Sequence, residues 1–270
     1  MGHPVTFALL FATTLVQSQS PPAGPKRGSG WVPPPPPASA PDDVKTLARE
    51  WEALYYAREK PGNLDKVLAL TREAGKKHPD SFDVQWRLAL SLCWASENSK
   101  DNARRRQLAE EGWEAGKRAT QLNPKVAEGH YFTAYCVGQY SLTIGIVTAL
   151  RQGIESKFRD PLLEAAKYDE AVDHGGIYNS LGRYKYELPW PKRSYGESVR
   201  YLRKAIAINP QNLRARVYLA ESLLARDDKG DRAEAEQLLK EVAGAPVGRY
   251  DTAEELLAKD LGTEAAKKLR

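Results

Sequence analysis

The sequence predicts an all-α chain, an α-solenoid of about five stacked helix pairs ending in a C-terminal capping helix, and three observations point to it. An alanine stands five residues ahead of a proline three times, at Ala74/Pro79, Ala119/Pro124 and Ala205/Pro210, each time at the end of an amphipathic stretch. A small residue lets one helix press on another, and proline, which has no amide hydrogen, stops the helix that carries it. Val44, Leu47, Ala48, Trp51, Leu54 and Tyr55 fall on one helical stripe, the 3.6-residue periodicity of a half-buried helix. Tyr178, Leu181 and Gly182 then set an aromatic ring, a leucine and a glycine at i, i+3 and i+4, where the glycine allows two helices to touch.

The chain opens on an apolar run, Phe7 to Val16, followed by small residues suited to cleavage after Ser18. That layout predicts a secretory signal over residues 1–18, with the mature chain starting near Gln19 and periplasmic or secreted. Residues 19–41 hold Trp31, Val32 and five consecutive prolines, Pro33 to Pro37. Proline fixes φ, so this stretch reads as a disordered, extended polyproline tether. The helical domain then covers 42–270. Within it, residues 129–150 carry no Asp, Glu, Lys or Arg, but Gln139, Tyr131, Tyr135, Tyr140 and several glycines make them too polar for a bilayer core. No transmembrane span is expected once the signal is cleaved.

The first helix pair runs from Pro41 to Pro79, turning at Pro61, Gly62 and Asn63. In the second, Trp86, Ala89, Leu90 and Cys93 take the packing positions, with ten extra residues before Ala119 and Pro124. The third begins near Ala127 with Tyr131, Ala134, Tyr135 and Gly138 on its stripe. It has no proline stop, and an added helix is expected between Ser141 and Arg159. The fourth starts at Tyr178, turns at Leu188 to Pro191 and closes at Ala205 and Pro210. The fifth passes through Leu213, Leu219, Ala220, Ala235, Leu239 and Val242. A last helix starts at Asp251, with Glu254 three residues on as a capping box, and covers the end of the stack.

The alanine–proline spacing and the aromatic-x-x-Leu-Gly motif resemble the tetratricopeptide repeat superfamily. Residues from about Tyr168 to Pro246 further resemble the T-component proteins of bacterial TRAP-type transport systems. Tyr168-Asp169, His174 to Gly176, Leu181-Gly182, Leu188 to Pro191, Ala205 to Pro210 and Leu219 to Glu221 carry that likeness. It implies a helical partner protein outside the cytoplasm. The cysteine that anchors T-components as lipoproteins is missing after the signal.

Charge and motif content narrow the function classes. The net charge is +5, with forty basic residues interspersed among thirty-five acids, so no basic stripe supports nucleic-acid binding. The four histidines form no metal-binding spacing. Asp169, Asp173 and His174 stand close in sequence, but they read as polar residues at a helix end, and no metal is expected. There is no phosphate loop or nucleophile elbow; neither a catalytic residue nor a cofactor is expected, and the chain reads as a binding protein. Cys93 and Cys136 lie on first helices of adjacent pairs. Such helices pack roughly 10 Å apart, so a bridge requires the two side chains to face each other within the short Cα range of a disulfide; two buried free thiols are the leading expectation and the disulfide the alternative.

In a repeat stack the first helices line a concave surface suited to extended partners. Shifting one residue from the packing stripe selects the groove face: Arg87, Ser91 and Trp94 in the second pair, Tyr131 and Tyr135 in the third if its register starts at Ala127, and Asn179, Arg183 and Tyr186 in the fourth. Donors beside tyrosine and tryptophan rings suit a peptide backbone or a carboxylate. The leading expectation is therefore an exported scaffold that binds a protein or peptide partner in the bacterial cell envelope. The alternative is a ligand-binding accessory of a solute transporter, with an aromatic cavity between the third and fourth pairs.

Overall fold

A computed structural model describes residues 31–269. The described residues hold twelve α-helices and no strand, so the chain is all-α. Helices α1 (Asp42–Tyr55) and α2 (Asn63–Lys77) form the first pair, α3 (Phe82–Asn98) and α4 (Asn102–Leu122) the second. The third is α5 (Ala127–Ile144) followed by the short α6 (Ile146–Arg151), which lies within the Ser141–Arg159 stretch where an added helix is expected, and by α7 (Ile154–Tyr168). Then come α8 (Val172–Glu187) with α9 (Tyr195–Ile208), α10 (Leu213–Arg226) with α11 (Asp231–Gly244), and α12 (Thr252–Ala266). No helix among the described residues is long and apolar enough to cross a membrane. The leader at 1–18 and the first part of the tether lie outside the described residues.

The three alanine–proline motifs end their helices in one way. His78, Asn123 and Asn209, each just before the proline, donate their amides to the carbonyls of Ala74, Ala119 and Ala205. All three have left helical geometry, at φ −126°, −142° and −129°, because a following proline ring disfavours the α conformation. The next helix then starts on a side-chain cap in several cases. Ser81 accepts from the amide of Val84, Asp101 from Arg104 and Asn212 from Ala215, each satisfying an amide that the first helical turn leaves unpaired.

First helices touch in a row, α1 to α3 to α5 to α8 to α10 to α12, and each also packs on its chain neighbours. At Gly182 an added Cβ would lie 2.5 Å from the Leu202 side chain, so the absence of a side chain sets how closely α8 and α9 approach. The row also closes on itself. Arg58, just past α1, donates to Asp251 at the start of α12 at 2.9 Å, with both side chains buried. Arg214 of α10 likewise reaches back to Glu97 of α3 at 2.7 Å.

Two expectations need correction. Cys93 and Cys136 are joined as a disulfide, their Cα atoms 5.1 Å apart. Gly112 of α4 makes room for it, since a Cβ there would lie 2.7 Å from the Cys136 sulfur. And the tether does not end free of the domain. Trp31 is 4% exposed and its ring meets Trp86 and Phe132 edge-on, at centroid distances of 6.1 Å each. Trp31, just ahead of the five prolines, is thus part of the core.

Candidate functional site

Between α5, α7, α8, α10 and α12 lies a cavity of about 320 Å³. Its lining is mixed. Leu142, Ile146, Leu150, Ile154 and Phe158, from the end of α5 through α7, supply most of the apolar side chains, with Gln139, Ser141 and Glu155 of the same helices among them; Leu142 is 54% exposed. The polar part of the lining carries Glu97, Asp173, His174, Asn179, Arg214 and Glu254 among Tyr131, Tyr135, Tyr218 and Tyr250.

This polar part depends on an irregular start to α8. Asp173, His174 and Gly175 have φ of 50°, 58° and 85°, a left-handed conformation that costs a residue with a side chain roughly 1–3 kcal/mol. Hydrogen bonds hold it there. The Tyr131 hydroxyl donates to Asp173 Oδ2 at 2.6 Å, Asn212 Nδ2 donates to the His174 carbonyl at 3.0 Å, and the Trp31 amide donates to His174 Nδ1 at 3.2 Å. Because Nδ1 accepts, the neutral ring carries its proton on Nε2. That Nε2 is buried and has no hydrogen-bond partner among the described residues. Burial holds the His174 pKa below its ordinary value.

One guanidinium serves two carboxylates beside this turn. Arg214 donates to Glu97 Oε1 at 2.7 Å and pairs with Glu254 Oε2 at 2.6 Å. The Tyr135 hydroxyl donates to the other Glu97 oxygen. Burial, with Glu97, Asp251 and Asp173 close by, pushes Glu254 up to about 8 against the opposing pull of Arg214. Burial likewise raises Asp173. The capping box expected at Asp251 forms by half: Asp251 accepts the Glu254 amide at 3.2 Å, while the Glu254 carboxylate turns inward to Arg214.

Of the eight residues assigned to the groove, Tyr131, Tyr135, Asn179 and Arg183 line the cavity. Tyr131 is buried and Tyr135 half-buried, and Asn179 Oδ1 has no partner among the described residues. Arg183 is not a free donor. It pairs with Glu187 at 2.5 Å and with Glu221 of α10 at 2.6 Å, and its guanidinium lies 4.8 Å from the ring centroids of Tyr186 and Tyr218. Tyr186 packs outside the cavity, on Arg183 and Tyr195.

Arg87, Ser91 and Trp94 belong to the interior. Ser91 accepts from the Trp51 indole at 2.9 Å, and Trp94 lies under Arg58 at 3.9 Å. Arg87 does hold a backbone, as its residue type suggested, but the backbone is the chain's own. Its Nη2 donates to the Pro34 carbonyl at 2.8 Å. The groove positions were misassigned because the row of first helices closes and takes in residues 31–34. Sequence reasoning missed Glu97, Arg214, Tyr218, Tyr250 and the inward turn of Glu254. The one available signal was Arg214 on the apolar stripe of Leu213 and Val217.

Residues 48–269, nearly the whole helical region and every residue of the cavity, match the family described as Regulator of microtubule dynamics protein 1-3. The chain belongs to that family. No curated protein matches it. The regulator of microtubule dynamics match therefore includes the closing contacts at Arg58 and Asp251 and the disulfide, but leaves out Trp31. Among the described residues, no group of three histidine, cysteine or carboxylate side chains could hold a metal ion.

Proposed function

We propose that this protein is a binding protein of the tetratricopeptide type, a solenoid closed end to end, that takes a small amphiphilic molecule in the cavity between its third and fourth helix pairs. One observation carries the reading: the cavity combines apolar side chains from α5 to α7 with tyrosines and buried charges, the mixed lining that binds and orients a ligand. The closure of the helix row supports the same choice, because Arg58–Asp251 and Arg214–Glu97 occupy places where an extended partner would pass. A role beside a solute transporter, implied by the likeness of residues 168–246 to T-components, fits a cavity of this kind. The Cys93–Cys136 disulfide supports an oxidising compartment and hence export. The test is native mass spectrometry of the full chain purified without detergent. An adduct of small-molecule mass should ride on the wild type and be absent from Asn179→Trp, which fills the cavity. Adduct-free wild-type protein, with no small amphiphile taken up on addition, would sink the reading.

A second reading keeps the protein-binding role. It is supported by the seating of Trp31 to Pro34, where Arg87 and His174 hold a proline-rich segment of the chain itself. Trp190, 87% exposed, offers a contact for a partner surface. The family description adds microtubule dynamics as the setting. Co-sedimentation of the full chain with polymerised tubulin tests that setting, and protein left wholly in the supernatant counts against it.

A further inference from the structure

We propose that the cavity is selective for an amphiphilic organic amine, its ammonium group among Asp173, Glu97, Glu254 and the surrounding tyrosines and its alkyl body along Leu142, Ile154 and Phe158. The inference rests on the reading of this cavity as the ligand site and names the class of ligand.

The charges around the cavity are unevenly matched. Glu97 and Glu254 share the single guanidinium of Arg214, and Asp173 has a tyrosine hydroxyl as its hydrogen-bond partner. Arg183, the other guanidinium on the lining, is itself held by two carboxylates, Glu187 and Glu221. Negative charge is therefore in excess where it is least hydrated, and buried carboxylates call for a cation or a proton. An anionic headgroup would add to that excess. A neutral alcohol would leave it as it is.

The rings fit the same choice. The hydroxyls of Tyr131 and Tyr135 donate to Asp173 and Glu97, so their oxygens present lone pairs and their faces present negative quadrupole, both attractive to an ammonium ion. A second, independent observation marks a missing polar group. His174 is 6% exposed and lines the cavity, yet its Nε2 has no partner among the described residues, and neither has Asn179 Oδ1. The acceptor at Asn179 suits an ammonium N–H, and the donor at His174 suits a hydroxyl close to it.

The raised affinity of Glu254 and Asp173 for protons supplies a further readout, since an arriving ammonium should displace a proton held there.

The experiment is calorimetry of the purified full chain with octylamine, octanol and octanoate at pH 7, in two buffers of different ionisation enthalpy. Octylamine should bind at least ten-fold more tightly than octanol, with proton release seen as a buffer-dependent heat, and octanoate should give no binding. Glu254→Gln should weaken octylamine at least ten-fold and leave octanol unchanged. Asp173→Asn serves the same purpose should the first variant fail to fold, asparagine being tolerant of left-handed φ. Octanoate or octanol binding as tightly as octylamine overturns the amine class and leaves the cavity a ligand site. Binding of none of the three overturns both.

Discussion

Replacing Trp31 with alanine tests whether the proline-rich segment is part of the fold. The ring is 4% exposed and wedged against Trp86, Phe132 and His174, and truncating a buried tryptophan costs about 3–5 kcal/mol. The lower bound of that range, about 3 kcal/mol, sets the smallest loss expected. For a domain of this size each kcal/mol moves the melting temperature by about 2–4 °C, giving a drop of about 6–12 °C. A chain shortened to begin at Pro41 should lose at least as much, because the amide bond to His174 and the Pro34 carbonyl held by Arg87 go as well. Circular dichroism melts of the three proteins decide it. If Trp31→Ala melts within 1 °C of the parent, the segment is a tether after all.

Other measurements address the interior. Gly182→Leu forces a side chain into Leu202, where even a Cβ would sit at 2.5 Å; it should cost about 1–3 kcal/mol, and a melt unchanged from wild type would remove the close contact of α8 and α9. Arg183→Ala breaks the link from α8 to Glu221 of α10, but the side chain is 32% exposed, so a smaller loss of about 1 kcal/mol is expected; a loss equal to that of Gly182→Leu would contradict this ranking. Reducing the disulfide, which closes a loop of sequence separation 43, should cost up to about 4 kcal/mol on loop entropy, and thiol labelling of unfolded, unreduced protein should find none free. Finally, Glu254 holds its proton to a higher pH when folded than when unfolded, so the folded state binds more protons between the two values and stability falls as pH rises. Below about pH 6.5 the lowered His174 acts with the opposite sign, while the raised Asp173 acts with the same sign as Glu254, so between pH 6.5 and 8 the melting temperature should decline more steeply in the wild type than in Glu254→Gln.

The helices were legible because their signals are local. A stripe such as Val44 to Tyr55, or an alanine five residues before a proline, acts within one or two turns, and the caps at Ser81, Asp101 and Asn212 act within three residues. What failed depended on contacts across the chain. Nothing near Arg58 announces Asp251, 193 positions away. Without that closure the residues displaced by one from the packing stripe look like a groove, and Arg87 and Trp94 were assigned to it. The cysteines were misread for a related reason: average helix spacing predicts thiols too far apart, whereas Gly112 beside them and a Cα separation of 5.1 Å are particulars of one contact. Tyr131, Tyr135 and Asn179 reached the cavity because the offset that selects them holds within a single helix. Their counterparts Arg214 and Glu254 come from helices that meet α5 and α8 only in the folded chain.

In an open array of repeats each unit rests on its neighbours alone, so the first can fold as soon as the second exists. Here Arg58, at the end of the first helix, finds its buried carboxylate at Asp251. A guanidinium destined for the interior must therefore wait in water, or hold the turn after α1 open, until almost the whole chain has left the ribosome. Contacts this distant in sequence slow folding, and they make the N-terminal pair the part most exposed to chaperones and proteases during synthesis. A chain arrested before residue 251 should accordingly be degraded from its front, although every residue of its first helix pair is already present.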